Sequence, residues 1–205
     1  MLTVVDHPLT QHLLTALRDR ETSPPLFRAL TRRLTLILLL EATRDLDVKP
    51  VSVLTPLEDA PGARLGSVVA IPILRAGLGM LEAVTDTFPD VSVGYIGLER
   101  DERTLRPTSY YEKLPDVRGK PVLLLDPMLA TGGSAVRATT AITSRDPSSV
   151  RMLCVVAAPE GVAAMEESHP DVPIYAAALD RQLNDRGYIL PGIGDFGDRL
   201  YGTGP

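Results

Sequence analysis

The stretch Val122-Leu123-Leu124-Leu125-Asp126-Pro127-Met128-Leu129-Ala130-Thr131-Gly132-Gly133-Ser134-Ala135 constrains the fold more than any other part of the chain. Four apolar residues ending at a carboxylate suit a central parallel strand covered on both faces. Behind them, small residues suit a tight turn into a helix opening at Gly-Gly-Ser. Thr131, Gly132, Gly133 and Ser134 bring backbone N–H groups, hydroxyls and the positive end of a helix to one place, a seat for a phosphate. Asp126 falls at the carboxyl end of the strand, where open α/β sheets bind ligands. A phosphate cradle with an acceptor at its lip suits a phosphorylated sugar: the loop takes the phosphate and the carboxylate takes the hydroxyls.

The remaining pattern agrees with an α/β fold, a mostly parallel sheet with helices on both faces. Strands are expected over 68–71, 92–98, 121–125, 150–157 and 174–177, with helices over 80–88, 134–144 and 161–168. Ahead of them, Leu9, Leu13, Leu14 and Leu17 recur at helical spacing. Ser23 before Pro24 and Pro25 starts a second helix running to about residue 46. That helix carries Leu34-Thr35-Leu36-Ile37-Leu38-Leu39-Leu40, read as buried in the core or at a subunit interface. Residues 99–119 are polar, interrupted by proline and marked by Tyr110 and Tyr111, and are expected to project as a β-arm or mobile loop. A last segment, rich in glycine and aromatics, is expected to cap the core. The 205 residues are read as one domain, with a core over about 51–178 and the cap over about 180–205.

The net charge of −5 leaves no basic face for nonspecific nucleic-acid binding. A few local arginines still suffice for a small polyanion. The single cysteine, Cys154, lies in an apolar run and reads as a buried structural thiol; one cysteine rules out a disulfide framework and fits a cytoplasmic protein. No stretch approaches the ~20 apolar residues of a membrane helix, and no signal peptide is visible. His7, His12 and His169 are scattered without partners at metal-ligand spacing. Neither a Gly-x-Ser-x-Gly elbow nor a Walker A lysine occurs.

Two glycine patterns invite a dinucleotide reading and fail it. After the strand ending near Leu74, Gly77-Leu78-Gly79 lacks the third glycine, since Glu82 holds that place. Gly192, Gly194 and Gly197 match the spacing, but no helix-length segment follows and no acidic residue can lie about twenty positions further on. Those glycines suit close approach of backbone to a flat ligand. Arg75, at a strand end, has the guanidinium geometry that grips phosphate oxygens.

Asp126-Pro127-Met128-Leu129-Ala130-Thr131-Gly132-Gly133-Ser134 resembles the phosphoribosyl-diphosphate (PRPP) motif of type I phosphoribosyltransferases. Pro127, where most of that superfamily has a second acid, is the form typical of the uracil phosphoribosyltransferase family. Asp180 to Thr203 is similar to that family's base-binding hood. The resemblance implies conversion of uracil and PRPP to uridine monophosphate (UMP) and diphosphate, as in pyrimidine salvage. It implies PRPP contacts at Arg75, Arg100, Asp126 to Ser134 and Asp195, and uracil contacts at Ile189, Gly194, Asp195 and Phe196, made largely by main chain. Catalytic roles fall to Asp195, Asp126 and Arg75; Asp195 either helps N1 of uracil lose its proton or organises PRPP and metal. Mg²⁺ is implied as a cofactor held mainly through PRPP, a homodimer or higher homo-oligomer as the assembly, and GTP as an allosteric effector in some members. Glu99 and Phe196 depart from the family's pattern, the first from a tyrosine and the second from a small residue. Tyr110, Tyr111 and Lys113 match the family's arm.

Overall fold

The computed structural model describes residues 1–100 and 107–203, with the side chains of 99, 100 and 107–109 outside that description. Leu2–Val4 forms β1, and α1 (Pro8–Arg18) and α2 (Pro24–Ala42) follow. A ribbon of β2 (Val48–Leu54) and β3 (Asp59–Leu65) leads into β4 (Val69–Leu74), α3 (Leu78–Thr87), β5 (Ser92–Val93) and β6 (Tyr95–Arg100). Then come β7 (Pro107–Lys113), β8 (Pro121–Leu125), β9 (Met128–Leu129), α4 (Gly133–Thr143) and β10 (Ser149–Ala157). The chain continues through α5 (Pro159–Ser168), β11 (Ile174–Leu179), β12 (Gln182–Leu183), β13 (Ile189–Leu190) and α6 (Phe196–Tyr201).

The main sheet runs β1-β11-β10-β8-β4-β6-β7, with β5 beside β4 and β9 beside β10. Its pairings are parallel except β6 with β7. Because strand side chains alternate, each central strand feeds two cores. Leu123 and Leu125 of β8 join Leu153 and Val155 of β10 under α1, α2 and α3. Val122 and Leu124 join Met152 and Cys154 under α4 and α5. This two-sided burial explains the near-continuous apolar runs in both strands.

The topology fixes where a ligand belongs. From β4 the chain crosses outward through α3 to β6; from β8 it crosses the opposite way through α4 to β10. The crevice at the carboxyl ends of β4 and β8 is therefore the switch point of the sheet. Arg75 and Asp126 are the first residues beyond those two ends.

Several local readings need correction. Helix α2 stops at Ala42 rather than near residue 46, because Arg151 of β10 donates to the Ala42 carbonyl and to Asp45, ending the helix with an arginine. Ser23 starts α2 without a side-chain cap, its carbonyl accepting from Phe27 N–H. The apolar run in α2 is divided: Leu34, Leu38 and Leu39 are buried, whereas Leu36 and Leu40 are exposed. In agreement with the expected β-arm, residues 107–113 pair as β7 along β6, and the ring of Tyr110 covers Gly97. The β2–β3 ribbon also stands apart from the main sheet, and Pro50 and Pro61 are tolerated in it because both strands of a two-stranded pairing are edges. His7 caps α1 by accepting from Leu9 N–H, and His169 ends α5 while meeting Thr140 at 2.9 Å.

Candidate active site

The loop after β8 is rigid because three elements crowd it. Pro127 O accepts from Val155 and Val156 N–H, and Met128–Leu129 pairs as β9 along β10. Ala130 and Gly161 touch so closely that a Cβ on Gly161 would lie 2.5 Å from Ala130 O. Gly132 then adopts φ +81°, and a Cβ there would meet Ala164 at 2.7 Å. Only glycine fits such a left-handed position against a neighbouring helix. Gly133 and Ser134 begin α4, which no side chain caps. Its first N–H groups are left for water or an anion, as the positive end of a helix favours. Thr131 is exposed beside them, with Gly133 and Ser134 half-buried.

Asp126 is half-buried on the strand side of this loop. Desolvation pushes its carboxyl up to about 7, against a weak opposing hydrogen bond from Met128 N–H at 3.4 Å. The neighbouring strand holds Cys154, whose thiol is fully buried and is pushed far up, first by desolvation and then by the Asp126 charge. It is a packing residue.

The β4 loop meets both this strand end and the segment after β11. Gly77 packs so tightly that a Cβ would fall 2.4 Å from Leu125 O, one residue before Asp126. Arg75, exposed and preceded by a cis peptide, reaches Asp198 of α6 at 3.5 Å. Gly79 lies under Leu200, where a Cβ would be 2.8 Å from the leucine methyl, so α6 seats directly on the start of α3. Arg75, Asp126 and the start of α6 thus surround one crevice.

The hood itself is shaped by main chain. Ile189 is buried in the core, so only its backbone is available to a ligand. Gly192 and Gly194 have φ +64° and +83°, and Leu190–Pro191 is cis. Asp195 is exposed, and its Oδ1 accepts from Asp198 N–H as the cap of α6. Phe196, the departure in the sequence, is buried with its ring 4.8 Å from Phe27 in an edge-to-face pair. Its side chain therefore belongs to the α2 core and does not narrow the crevice. A six-residue helix spans Gly197, shorter than a dinucleotide fold requires.

The backbone of Arg100 ends β6 opposite Pro107. Its side chain and Asp101, Arg103 and Arg106 lie outside the described residues. Sequence reasoning missed Asp198, the partner of Arg75, although it sits in the same glycine-rich stretch. It also missed Glu160, which accepts from Leu183 N–H and ties the hood to α5. Among the described residues no group of three or more His, Cys, Asp or Glu is placed to hold a metal, and no helix is long and apolar enough to cross a membrane.

Comparison with known proteins places this geometry. Residues 4–203 match the family model described as uracil phosphoribosyltransferase. The chain is 50% identical over 206 residues to the uracil phosphoribosyltransferase of Dictyoglomus turgidum, covering 99% of this chain and 100% of that protein. It is likewise 50% identical to that of Oceanobacillus iheyensis, covering 98% and 97%. Among solved structures, the AQ2163 protein of Aquifex aeolicus superposes with a TM-score of 0.95 at 39% identity, over 98% of each chain. A hypoxanthine-guanine phosphoribosyltransferase of Bacillus anthracis aligns at TM-score 0.54 and 13% identity over 77% of this chain and 79% of that one, which shows a shared fold. A full-length family match at half identity, joined to a phosphate loop and an acidic strand end at the sheet's switch point, makes this chain a member of the uracil phosphoribosyltransferase family.

Proposed function

We propose that the protein transfers the phosphoribosyl group of PRPP to uracil, giving UMP and diphosphate. The observation that carries this reading is the meeting of three parts at one crevice: an uncapped α4 start, Asp126 at the strand end, and a main-chain hood. The first N–H groups of α4, with Thr131 and Ser134, hold the 5-phosphate. Asp126 accepts from the ribose hydroxyls as a carboxylate. Arg75 meets the diphosphate oxygens, exchanging its loose contact with Asp198 for a stronger one. With the sugar fixed at its far end, the C1–O bond to diphosphate breaks, C1 gains oxocarbenium character and N1 of uracil closes on it; positioning supplies much of the acceleration. The N1 proton leaves as the C1–N1 bond forms.

Uracil presents an acceptor, a donor and an acceptor in fixed order, and cytosine reverses part of it. Rigid main-chain groups near Ile189 and Gly194 to Phe196 can mirror that order, and stranding them against the wrong base discriminates by up to ~10⁴-fold. Asp195 takes one of two tasks, proton acceptance at N1 or organisation of PRPP and its metal. Replacement by Asn separates them: loss of the first task lowers kcat, loss of the second raises KM for PRPP.

The donor set suits Mg²⁺ carried by PRPP, because this ion keeps several waters and uses one or two carboxylates with substrate phosphates. Asp126 and Asp195 are the carboxylates that would approach it. When bound, it neutralises charge on the departing diphosphate. Self-association as a dimer or larger assembly is supported by the ribbon, where Val48, Leu54 and Leu57 are exposed.

The test is to incubate the protein with Mg²⁺, PRPP and labelled uracil. UMP and diphosphate are expected in equal amounts, with orotate, hypoxanthine, guanine and cytosine left unconsumed. PRPP binding without product from any base would replace the enzyme with a PRPP-responsive regulator.

A further inference from the structure

Resting on the reading above, we infer that Arg18 and Asp180 set base selectivity by clamping the main chain of the hood. The two side chains close a ring on Gly192. Arg18 donates to Asp180 through Nη1 at 2.9 Å and Nη2 at 2.6 Å, and Nη1 also donates to Gly192 O at 2.7 Å. Gly192 N–H returns to Asp180 Oδ2 at 2.9 Å. Both polar groups of Gly192 are consumed by one ion pair whose acid is 7% exposed. Charge-assisted, bidentate geometry of this kind fixes orientation as well as distance.

The next carbonyl is held in the same manner. Arg199 donates to Ile193 O at 2.8 Å and to Leu17 O at 2.5 Å, with its guanidinium 4.5 Å above the Phe27 ring. Phe27 in turn packs on Phe196. Gly192 and Ile193 are thus tied to the end of α1, immediately before Gly194, Asp195 and Phe196, which carry the proposed base contacts. Gly192 has no freedom to absorb a shift, since a Cβ there would lie 2.1 Å from Ile189 O. Main-chain readout depends on the placement of N–H and C=O groups, and a displacement near 1 Å in such a frame costs about 100-fold. Arg18 and Asp180 are positioning residues: their side chains act on uracil through Gly192, and neither side chain donates to or accepts from the phosphate loop.

Arg18→Met alone would strand the buried Asp180 carboxylate, so the decisive protein is the full chain carrying R18M with D180N, in which the amide still accepts from Gly192 N–H. KM for uracil is expected to rise roughly tenfold, the worth of a lost charge-assisted hydrogen bond. KM for PRPP is expected to stay within about twofold, and the preference for uracil over cytosine to shrink. Arg18→Lys, which keeps the charge without the fork, should recover part of the loss. A folded double variant with unchanged KM for uracil and unchanged discrimination would overturn the inference. So would equal losses toward uracil and PRPP, which mark a merely structural role. Should the double variant fail to fold, Arg18→Lys alone is read by the same two constants. Wild-type protein that forms no UMP refutes the enzymatic reading itself, and that result appears before any variant is made.

Discussion

Asp126 carries the sharpest expectations at the scale of single residues. Its folded-state value of about 7 lies above the ~3.9 of an unfolded aspartate, so between those values the folded chain binds more protons than the unfolded one. Stability from this group is therefore full below pH ~4 and lost as pH rises through 7. Asp126→Asn should raise the melting temperature at pH 8, show little effect near pH 4, and cut UMP formation by more than about 100-fold. Lower stability at pH 8, or retained turnover, would remove the assignment. In the wild type, kcat/KM for PRPP should climb with pH toward 7 as the carboxylate forms, because that constant reports ionisation of the free enzyme. Phe196 makes a different demand. Its buried ring predicts that Phe196→Ala costs about 3–5 kcal/mol in chemical denaturation, whereas a side chain lining the crevice would cost little.

At the scale of elements, glycine contacts hold the site together. Gly132→Ala combines a left-handed backbone with a clash against α5, and should weaken PRPP binding at least about tenfold while lowering stability. Calorimetric titration with PRPP measures the first effect and thermal unfolding the second. Elements of this kind were legible in sequence wherever one segment carried its own signal. Leu123 to Ser134 announced strand, turn and helix because the apolar run, the acid and the glycines are contiguous. β2 and β3 were not legible: Pro50 and Pro61 read as strand breakers, and a ribbon outside the main sheet has no buried face to impose alternation. β7 was legible only as part of an arm, because its polar tyrosine-rich sequence lacks the apolar run of a core strand. The clamp on the hood was invisible for another reason, since Arg18 and Asp180 are 162 positions apart and only Asp180 lies in a recognisable stretch.

At the scale of the molecule, the two most exposed large apolar side chains among the described residues, Leu54 at 80% and Leu57 at 95%, lie at the tip of the ribbon. A solvated two-stranded ribbon is marginal alone, and apolar side chains on it are more stable against another surface. Leu54→Lys with Leu57→Lys should shift the protein to a smaller species in sedimentation at micromolar concentration. An unchanged mass would remove the ribbon as a contact between copies of this chain.

The arginines and carbonyls that anchor the hood come from opposite ends of the polypeptide. During translation α1 is made long before residues 180–203, so its last turn must wait for most of the chain to emerge from the ribosome. A nascent protein that has completed β11 has the residues of its phosphate loop but not the hood that is proposed to choose the base, nor Ile189, Ile193, Phe196 and Leu200, which complete the core under α1 and α2.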